Sequence, residues 1–156
     1  MTDNTRDARP IAAALFIIAV VAISMLIGYI TQPGPWYASL AKPSFNPPGW
    51  VFGPVWTVLY MLIALAGWRI WRAAPSSTAM WLWIAQMILN WFWSPAFFGL
   101  NAPWLAFALI VCMLATIVAF IVQARKYDRL AAALFVPYLA WVSFATVLNG
   151  SIAAMN

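Results

Sequence analysis

Continuous apolar runs, separated by short polar connectors, fill most of the chain. Because apolar and polar residues do not alternate with a period of two, the pattern predicts helices rather than strands. A helix needs about 20 apolar residues to cross a bilayer. Five runs reach that length, at residues 11–30, 49–72, 78–100, 104–123 and 130–155. The pattern therefore predicts an all-α integral membrane protein, with a tail at 1–10 and a single five-helix transmembrane domain at 11–156.

The loop between the first two runs, residues 31–48, is rich in proline and aromatic residues. Pro33 and Pro35 end the first helix, because proline cannot continue a helix and disfavours helical geometry in the residue before it. Pro47 and Pro48 hold the chain extended where it approaches the second helix. We expect a rigid Pro/Trp-rich lid loop that covers the helices.

The composition agrees with a membrane protein. Of the 156 residues, 66% are hydrophobic and 7% are charged, whereas soluble domains carry about 25% charged residues. The first run is too long for a secretory signal peptide, and no small-residue cleavage site follows it. We therefore expect it to remain as the first span.

Basic residues mark one face of the membrane. Seven of the eight Lys and Arg residues lie in the tail or near the second and fourth connectors: Arg6, Arg9, Arg69, Arg72, Arg125, Lys126 and Arg129. Lys42 alone lies on the opposite side. The positive-inside rule therefore predicts a cytoplasmic N-terminus. This distribution explains the net charge of +5 without a nucleic-acid partner.

The residue types that the sequence lacks exclude several kinds of chemistry. There is no histidine, and the single cysteine, Cys112, lies within an apolar run, so no metal site, disulfide framework or cofactor is predicted. The acids are Asp3, Asp7 and Asp128, none of them deep within a run. An ion pump and a nucleophile–base enzyme are therefore disfavoured.

Amides lie deep in two of the runs. Gln86 and Asn90 are four residues apart in the third run, so they share a helix face, and Trp93 and Phe97 extend that face. Asn149 lies at depth in the fifth run. One interpretation is that these amides hydrogen-bond between helices and serve packing alone.

A second interpretation is a binding pocket beneath the lid loop. The helix directions place one group of deep residues in the half of the membrane under the loop: Trp56, Asn90, Trp93, Phe97, Trp141, Ala145 and Asn149. Aromatic walls, a few amides and a small residue are typical of small-molecule sites. Such a pocket would suit a flat, apolar, aromatic ligand with some hydrogen-bond acceptors.

Three ordered motifs resemble one known family. They are Trp36-Tyr37, Leu40, Lys42-Pro43, Pro47-Pro48, Trp50, Phe52, Trp56 and Leu59-Tyr60 in the loop and second helix, Gln86, Asn90, Trp93 and Phe97-Phe98 in the third helix, and Pro137-Tyr138, Trp141 and Phe144 to Asn149 in the fifth. With them the chain resembles the tryptophan-rich sensory protein family, which includes the mitochondrial translocator protein, or peripheral-type benzodiazepine receptor.

The resemblance implies a receptor for porphyrins and for isoquinoline-carboxamide or benzodiazepine ligands, often homodimeric and linked to tetrapyrrole and stress regulation. It also implies a bacterial-type member in a bacterial cell membrane. The pocket argument and the resemblance together give these ligand-binding residues: Tyr37, Pro47, Trp50, Trp56, Asn90, Trp93, Phe97, Tyr138, Trp141, Ala145 and Asn149.

Two alternatives to the receptor stay open. The resemblance implies light-dependent oxidative porphyrin degradation in some members, with Trp56 and Trp141 as the catalytic residues, so the assignment as an enzyme is left open. A porphyrin or sterol transporter is the other alternative, although neither repeats nor deep ionisable groups support it. Animal members carry a sterol motif at the end of the fifth helix, a tyrosine followed by a basic residue, and residues 148–156 have neither.

Overall fold

The computed structural model describes the backbone of residues 4–156 and the side chains from residue 10 onward. Residues 1–3 of the predicted tail, and the side chains of Arg6 and Arg9, lie outside this description. Within it there is no strand, and the α-helices are α1 (Asn4–Ile30), α2 (Pro35–Ser39), α3 (Phe52–Ala73), α4 (Thr78–Ser94), α5 (Pro103–Ala124), α6 (Arg129–Leu134) and α7 (Val136–Met155). A 3-10 turn at Gly49–Val51 precedes α3, and a π-helical turn at Pro95–Gly99 follows α4.

The predicted all-α architecture is confirmed. Among the described residues, four segments are long and apolar enough to cross a membrane: Pro10–Ile30, Gly49–Ala73, Pro103–Ala124 and Arg129–Met155. They match the first, second, fourth and fifth predicted runs to within one residue at each end. The third predicted run is not among the four, because α4 has only 17 residues and ends where Pro95 begins the π-helical turn.

Two helix boundaries differ from the sequence prediction. α1 begins at Asn4, within the predicted tail, because a helix satisfies its backbone hydrogen bonds internally and can continue beyond its apolar run. The predicted fifth helix is divided between α6 and α7 at Phe135. The division follows from Pro137, which has no N–H to donate to the preceding helical turn.

The two ends of the bundle pack differently. α5 packs along both α4 and α7, and α1 packs along α3. At one end α6 fills the space between α3 and α5, where Phe120, Phe135 and Tyr138 are fully buried. α3 and α7 make few contacts with each other, and so do α1 and α4. The bundle is therefore closed at the α6 end and open beneath the lid loop.

An ion pair fastens the closed end. Arg69 Nη2 lies 2.8 Å from Asp128 Oδ2, and Asp128 Oδ1 accepts a 2.9 Å hydrogen bond from the Ala131 N–H, which caps α6. Partial burial alone would raise the pKa of Asp128. The backbone hydrogen bond and the Arg69 guanidinium outweigh it and hold the pKa of this carboxyl below its usual value.

Candidate functional site

A cavity of about 740 Å³ lies beneath the lid loop, enclosed by α1, α3, α4 and α7. Small-molecule sites in proteins typically enclose about 300–1,000 Å³. The cavity occupies the open end of the bundle, where α3 and α7 diverge. Its position and size are therefore those of a ligand pocket.

Nine of the eleven predicted ligand-binding residues line this cavity: Tyr37, Pro47, Trp56, Asn90, Trp93, Phe97, Trp141, Ala145 and Asn149. The pair named for the degradation alternative, Trp56 and Trp141, is among them. These side chains come from the lid loop, α3, α4, the π-helical turn and α7. Helix direction and helical spacing thus bring together residues more than 100 positions apart in the sequence.

The other two predicted residues do not line the cavity. Trp50 lies in the 3-10 turn and is 77% exposed, because the turn carries its indole away from the helices. Tyr138 is fully buried beyond the cavity wall, where its ring packs edge-on against Phe135. Tyr138 therefore supports wall residues and Trp50 forms part of the outer surface of the lid.

A hydrogen-bonded chain of side chains supports the deep wall, which Tyr60 and Asn90 line. Tyr60 donates a 2.9 Å hydrogen bond to Asn90 Oδ1, and Asn90 Nδ2 donates to the Tyr138 hydroxyl over 3.0 Å. Tyr138 in turn contacts Met113 Sδ at 3.2 Å. Trp56 stacks on Tyr60 with a centroid distance of 5.2 Å. Both polar ends of Asn90 are thus held by tyrosines on neighbouring helices.

A second hydrogen-bonded group joins α4, α5 and α7. Trp93 Nε1 donates to Asn149 Oδ1 over 3.0 Å, and Asn149 Nδ2 donates to the Pro103 carbonyl over 3.0 Å. The Trp93 ring also stacks on Phe97 with a centroid distance of 5.5 Å. These bonds fix an aromatic wall. Asn149 therefore hydrogen-bonds between helices, as the packing interpretation predicts.

Gln86 has a different role from Asn90 although it shares the same face of α4. It is fully buried and does not line the cavity. Its Nε2 donates to the Trp83 carbonyl over 3.0 Å, within its own helix. The bond between helices that the packing interpretation predicts for Gln86 is therefore absent among the described residues.

Trp141 lines the cavity and has a buried hydrogen-bond donor without a partner in the part of the chain that the structure describes. Its ring packs edge-on against Phe52 at 5.8 Å. Its buried Nε1 has no hydrogen-bond partner among the described residues. A buried donor without a partner costs about 1–3 kcal/mol.

Sequence reasoning missed the wall that α1 contributes. Ser24 and Gly28 line the cavity from α1, and Thr31 lines it directly after the end of that helix. Ser24 Oγ accepts a 2.9 Å hydrogen bond from Trp91 Nε1, and the hydroxyls of Thr31 and Ser94 lie 2.5 Å apart. The first run is almost entirely apolar. Ser24, a hydroxyl residue within it, was the feature that could have indicated a polar position on the cavity wall.

The lid loop is held at several points. Tyr37, which lines the cavity, donates a 3.3 Å hydrogen bond to Asn46 Oδ1. Burial raises the pKa of Tyr37, and the hydrogen bond to Asn46 offsets part of that effect. At the far side of the loop the Asn156 side chain bonds the backbone of Ala41. The lid is thus a fixed cover.

Neutral side chains line this site. None of the described lining residues is Lys, Arg, Asp or Glu, and the described residues contain no His/Cys/Asp/Glu group that could hold a metal ion. Stacking surfaces and neutral hydrogen-bonding groups cover the wall. The arrangement fits a flat apolar molecule with a few polar atoms.

Comparison with known proteins places the chain in a family. The profile of the TspO/MBR family matches residues 14–155. A tryptophan-rich sensory protein of Cereibacter sphaeroides is 37% identical over 145 residues, which cover 92% of either chain. The tryptophan-rich protein TspO of Archaeoglobus fulgidus is 35% identical over 144 residues, 90% of this chain and 94% of that one.

The human translocator protein is 38% identical over 119 residues, 73% of this chain and 70% of the human one. With its long apolar helices, the chain is an integral membrane protein. The three motifs that carry the resemblance lie in the matched segment. Ten of their aromatic and amide residues line the cavity: Tyr37, Phe52, Trp56, Tyr60, Asn90, Trp93, Phe97, Phe98, Trp141 and Asn149. The protein belongs to the TspO/MBR family.

Proposed function

We propose that the protein is a membrane receptor for porphyrins, with protoporphyrin IX as the type ligand. Isoquinoline-carboxamide and benzodiazepine compounds would occupy the same cavity. The observation that carries the proposal is the aromatic cavity beneath the lid, where Trp56, Trp93 and Trp141 surround a space fitted to a flat molecule. The names of the relatives, sensory protein and translocator protein, agree with a receptor. The link to tetrapyrrole levels and stress regulation is proposed from the family resemblance.

Neutral hydrogen bonding supports a ligand with internal acceptors. Asn90 and Asn149 line the cavity, and each has a second Nδ2–H beyond the one that bonds the Tyr138 hydroxyl or the Pro103 carbonyl. Stacking on an indole adds about 0.5–1.5 kcal/mol beyond the burial of area. Flat aromatic macrocycles gain most from such walls because both faces of the ring are covered.

In the proposed topology the third run also crosses the membrane, which gives five spans. The 17 residues of α4 and the 5 of the π-helical turn reach about 30 Å, the thickness of the hydrocarbon core. The basic residues near the ends of α3 and α5 then share the cytoplasmic face with the N-terminus. We further propose a homodimer in a bacterial cell membrane, by resemblance to the family. Thiol labelling of single cysteines in the lid and in the α5–α6 connector tests the orientation, and crosslinking in membranes tests the dimer.

The test of the receptor is a titration of the detergent-purified protein with protoporphyrin IX in darkness, followed by tryptophan fluorescence. Porphyrin bound in the cavity lies against three tryptophans, so saturable quenching is expected. Strictly linear quenching, the same as that of free tryptophan, would exclude the proposed site.

Porphyrin degradation is the second candidate function, favoured by the position of Trp56 and Trp141 on one cavity. Illumination of the bound complex in air would then produce a new absorbing product, with dioxygen as the oxidant. The variant Trp141→Phe would bind porphyrin but lose the product. If porphyrin absorbance stays unchanged under light while binding is intact, the degradation function is rejected and only the receptor function remains.

A further inference from the structure

The closed end of the bundle carries a concentrated positive charge. Five cations lie there, with α6 and the ends of α3 and α5: Arg69, Arg72, Arg125, Lys126 and Arg129. Asp128 is the one carboxylate among the described side chains, and Arg69 neutralises it across the 2.8 Å ion pair. The other four cations are exposed and have no acidic partner among the described residues. We call these four residues the basic surface.

The ion pair brings two parts of the basic surface together. Arg69, near the end of α3, pairs with Asp128, which directly precedes α6. Arg72 lies three residues after Arg69 and therefore on the same side of α3. Arg129 follows Asp128 directly in the chain, and α3 packs along α6. The cations of α3 and α6 thus belong to one surface although they lie far apart in the sequence.

The other two cations lie on a short turn between α5 and α6. The Asp128 N–H donates to the Ala124 carbonyl over 2.8 Å, which closes the turn. Lys126 Nζ donates to Gln123 Oε1 over 2.8 Å, and Arg125 precedes Lys126 in the chain. The positive-inside rule predicts basic residues on this side of the membrane, but it does not predict an ion pair and a closed turn that hold them in place. This fixed arrangement is typical of a surface that receives a partner.

Exposed aromatic residues indicate the depth of the basic surface in the membrane. Trp71 lies in the last turn of α3, Trp81 in the first turn of α4 and Tyr127 between α5 and α6, and all three are exposed. Trp and Tyr at the ends of spans lie at the level of the lipid headgroups. The connectors here, residues 74–77 and 125–128, have only four residues each, so neither extends far beyond that level. A lipid headgroup is therefore better placed to meet the basic surface than a soluble protein.

We propose that the basic surface binds the phosphate groups of anionic phospholipids. Arginine pairs with phosphate through parallel N–H donors, and lysine adds a compact point charge. Basic clusters at the cytoplasmic ends of membrane helices attract anionic lipids, and the proposed orientation places this surface in the cytoplasmic leaflet. The basic surface lies at the opposite end of the bundle from the cavity, so its test does not depend on porphyrin binding.

The test compares phosphatidylglycerol, which is anionic, with zwitterionic phosphatidylcholine that has the same acyl chains. Native mass spectrometry in a neutral detergent measures the binding of each lipid to the full chain. A quadruple variant replaces all four residues of the basic surface with glutamine. Arg125→Gln and Lys42→Gln form a matched pair, because each removes one cation, and Lys42 is held in the lid by the Ala38 and Leu40 carbonyls.

Wild type is expected to bind phosphatidylglycerol at least about tenfold more tightly than phosphatidylcholine at low ionic strength, with a smaller preference in high salt. The quadruple variant should bind the two lipids within about twofold of each other. Arg125→Gln should weaken binding of phosphatidylglycerol by about two- to fivefold, and Lys42→Gln should leave it unchanged. Because the four side chains are exposed, the quadruple variant should keep the thermal midpoint of wild type in neutral detergent.

Three results would overturn the inference: no preference in wild type, the same preference in wild type and the quadruple variant, or an equal loss in Arg125→Gln and Lys42→Gln. The last result would mean that total charge, rather than this surface, attracts the lipid. Polyglutamate, a soluble acidic polypeptide, is tested in the same way. If it binds wild type and phosphatidylglycerol does not, the basic surface receives an acidic protein and the lipid is rejected.

Discussion

The side-chain amide of Asn156 pairs with the backbone of Ala41 and so joins the end of α7 to the lid. The Ala41 N–H donates to Asn156 Oδ1 over 2.9 Å, and Asn156 Nδ2 donates to the Ala41 carbonyl over 3.0 Å. The same Nδ2 donates to the Ile152 carbonyl over 2.9 Å, which fixes the amide on its own helix. Ile152 also lines the cavity, so the lid and one wall of the site share this contact.

Asn156→Ala is expected to loosen the lid without unfolding the bundle. Since a net hydrogen bond contributes about 0.5–1.5 kcal/mol, the Ala41 amide should exchange with deuterium roughly three to ten times faster. Ser39→Ala is the control, because Ser39 Oγ bonds only the Trp36 carbonyl within the lid. Equal exchange at Ala41 in wild type and Asn156→Ala would show that the amide pair does not hold the lid.

Gly67→Ala tests the closest helix contact in the core. A Cβ at Gly67 would lie 2.3 Å from Trp83 Cε2, and the indole cannot move freely because its Nε1 donates to the Ile63 carbonyl over 2.9 Å. Overpacking of this kind costs about 1–3 kcal/mol. The thermal midpoint in detergent should fall by several degrees, whereas Gly28→Ala, with open space around it, should leave it near the wild-type value.

The Arg69–Asp128 ion pair makes part of the stability depend on pH. The folded pKa of Asp128 is below its unfolded value, so its contribution is present above the unfolded pKa of about 3.9 and is lost as pH falls through the folded pKa. The variant Asp128→Asn keeps a capping oxygen but no charge. At pH 7 it should be less stable by up to about 1 kcal/mol, since the pair is partly exposed.

Thermal midpoints of wild type and Asp128→Asn, measured from pH 7 downward, check this. The gap between them should close as the pH falls well below about 4. A gap of constant size over the whole range would mean that the charge of Asp128 contributes nothing.

The substitution Tyr138→Phe tests whether Tyr138 supports the cavity wall or contacts the ligand directly. The substitution keeps the buried ring but leaves Asn90 Nδ2 without its 3.0 Å acceptor. A buried donor left without a partner costs about 1–3 kcal/mol, so stability should fall. Because Tyr138 does not line the cavity, porphyrin affinity should change by less than about threefold.

The exposed residue Tyr127 provides the control for this substitution. Tyr127→Phe should alter neither stability nor porphyrin affinity. A large loss of affinity in Tyr138→Phe, with stability unchanged, would favour the direct ligand contact that the sequence predicted for Tyr138.

The sequence predicts the helical runs well because apolar length is a local property. Four predicted runs match apolar helical segments to within one residue at each end. The breaks at Pro95 and Phe135 were not predicted, since a long apolar run masks the effect of one proline on helix geometry. Trp56, Asn90 and Trp141, whose depth in their helices predicts a position under the lid, line one cavity.

The remaining features of the site depend on tertiary packing that no single run reveals. Ser24 and Thr31 form part of the wall, where Ser24 hydrogen-bonds Trp91 and Thr31 hydrogen-bonds Ser94 on α4. Tyr138 lies on the far side of Asn90 because the break at Phe135 sets the rotation of α7. These properties arise from the relative placement of helices, which spacing along one helix does not determine.

The central claim is that porphyrin binds in the cavity beneath the lid, and filling that cavity tests it most directly. Ala145→Phe places a ring in the cavity, while Ala108→Phe places the same ring on an exposed part of α5. Both are titrated with protoporphyrin IX in darkness beside wild type. The account predicts that Ala145→Phe weakens saturable quenching by at least about tenfold, while Ala108→Phe binds like wild type. Equal binding by all three proteins would contradict it.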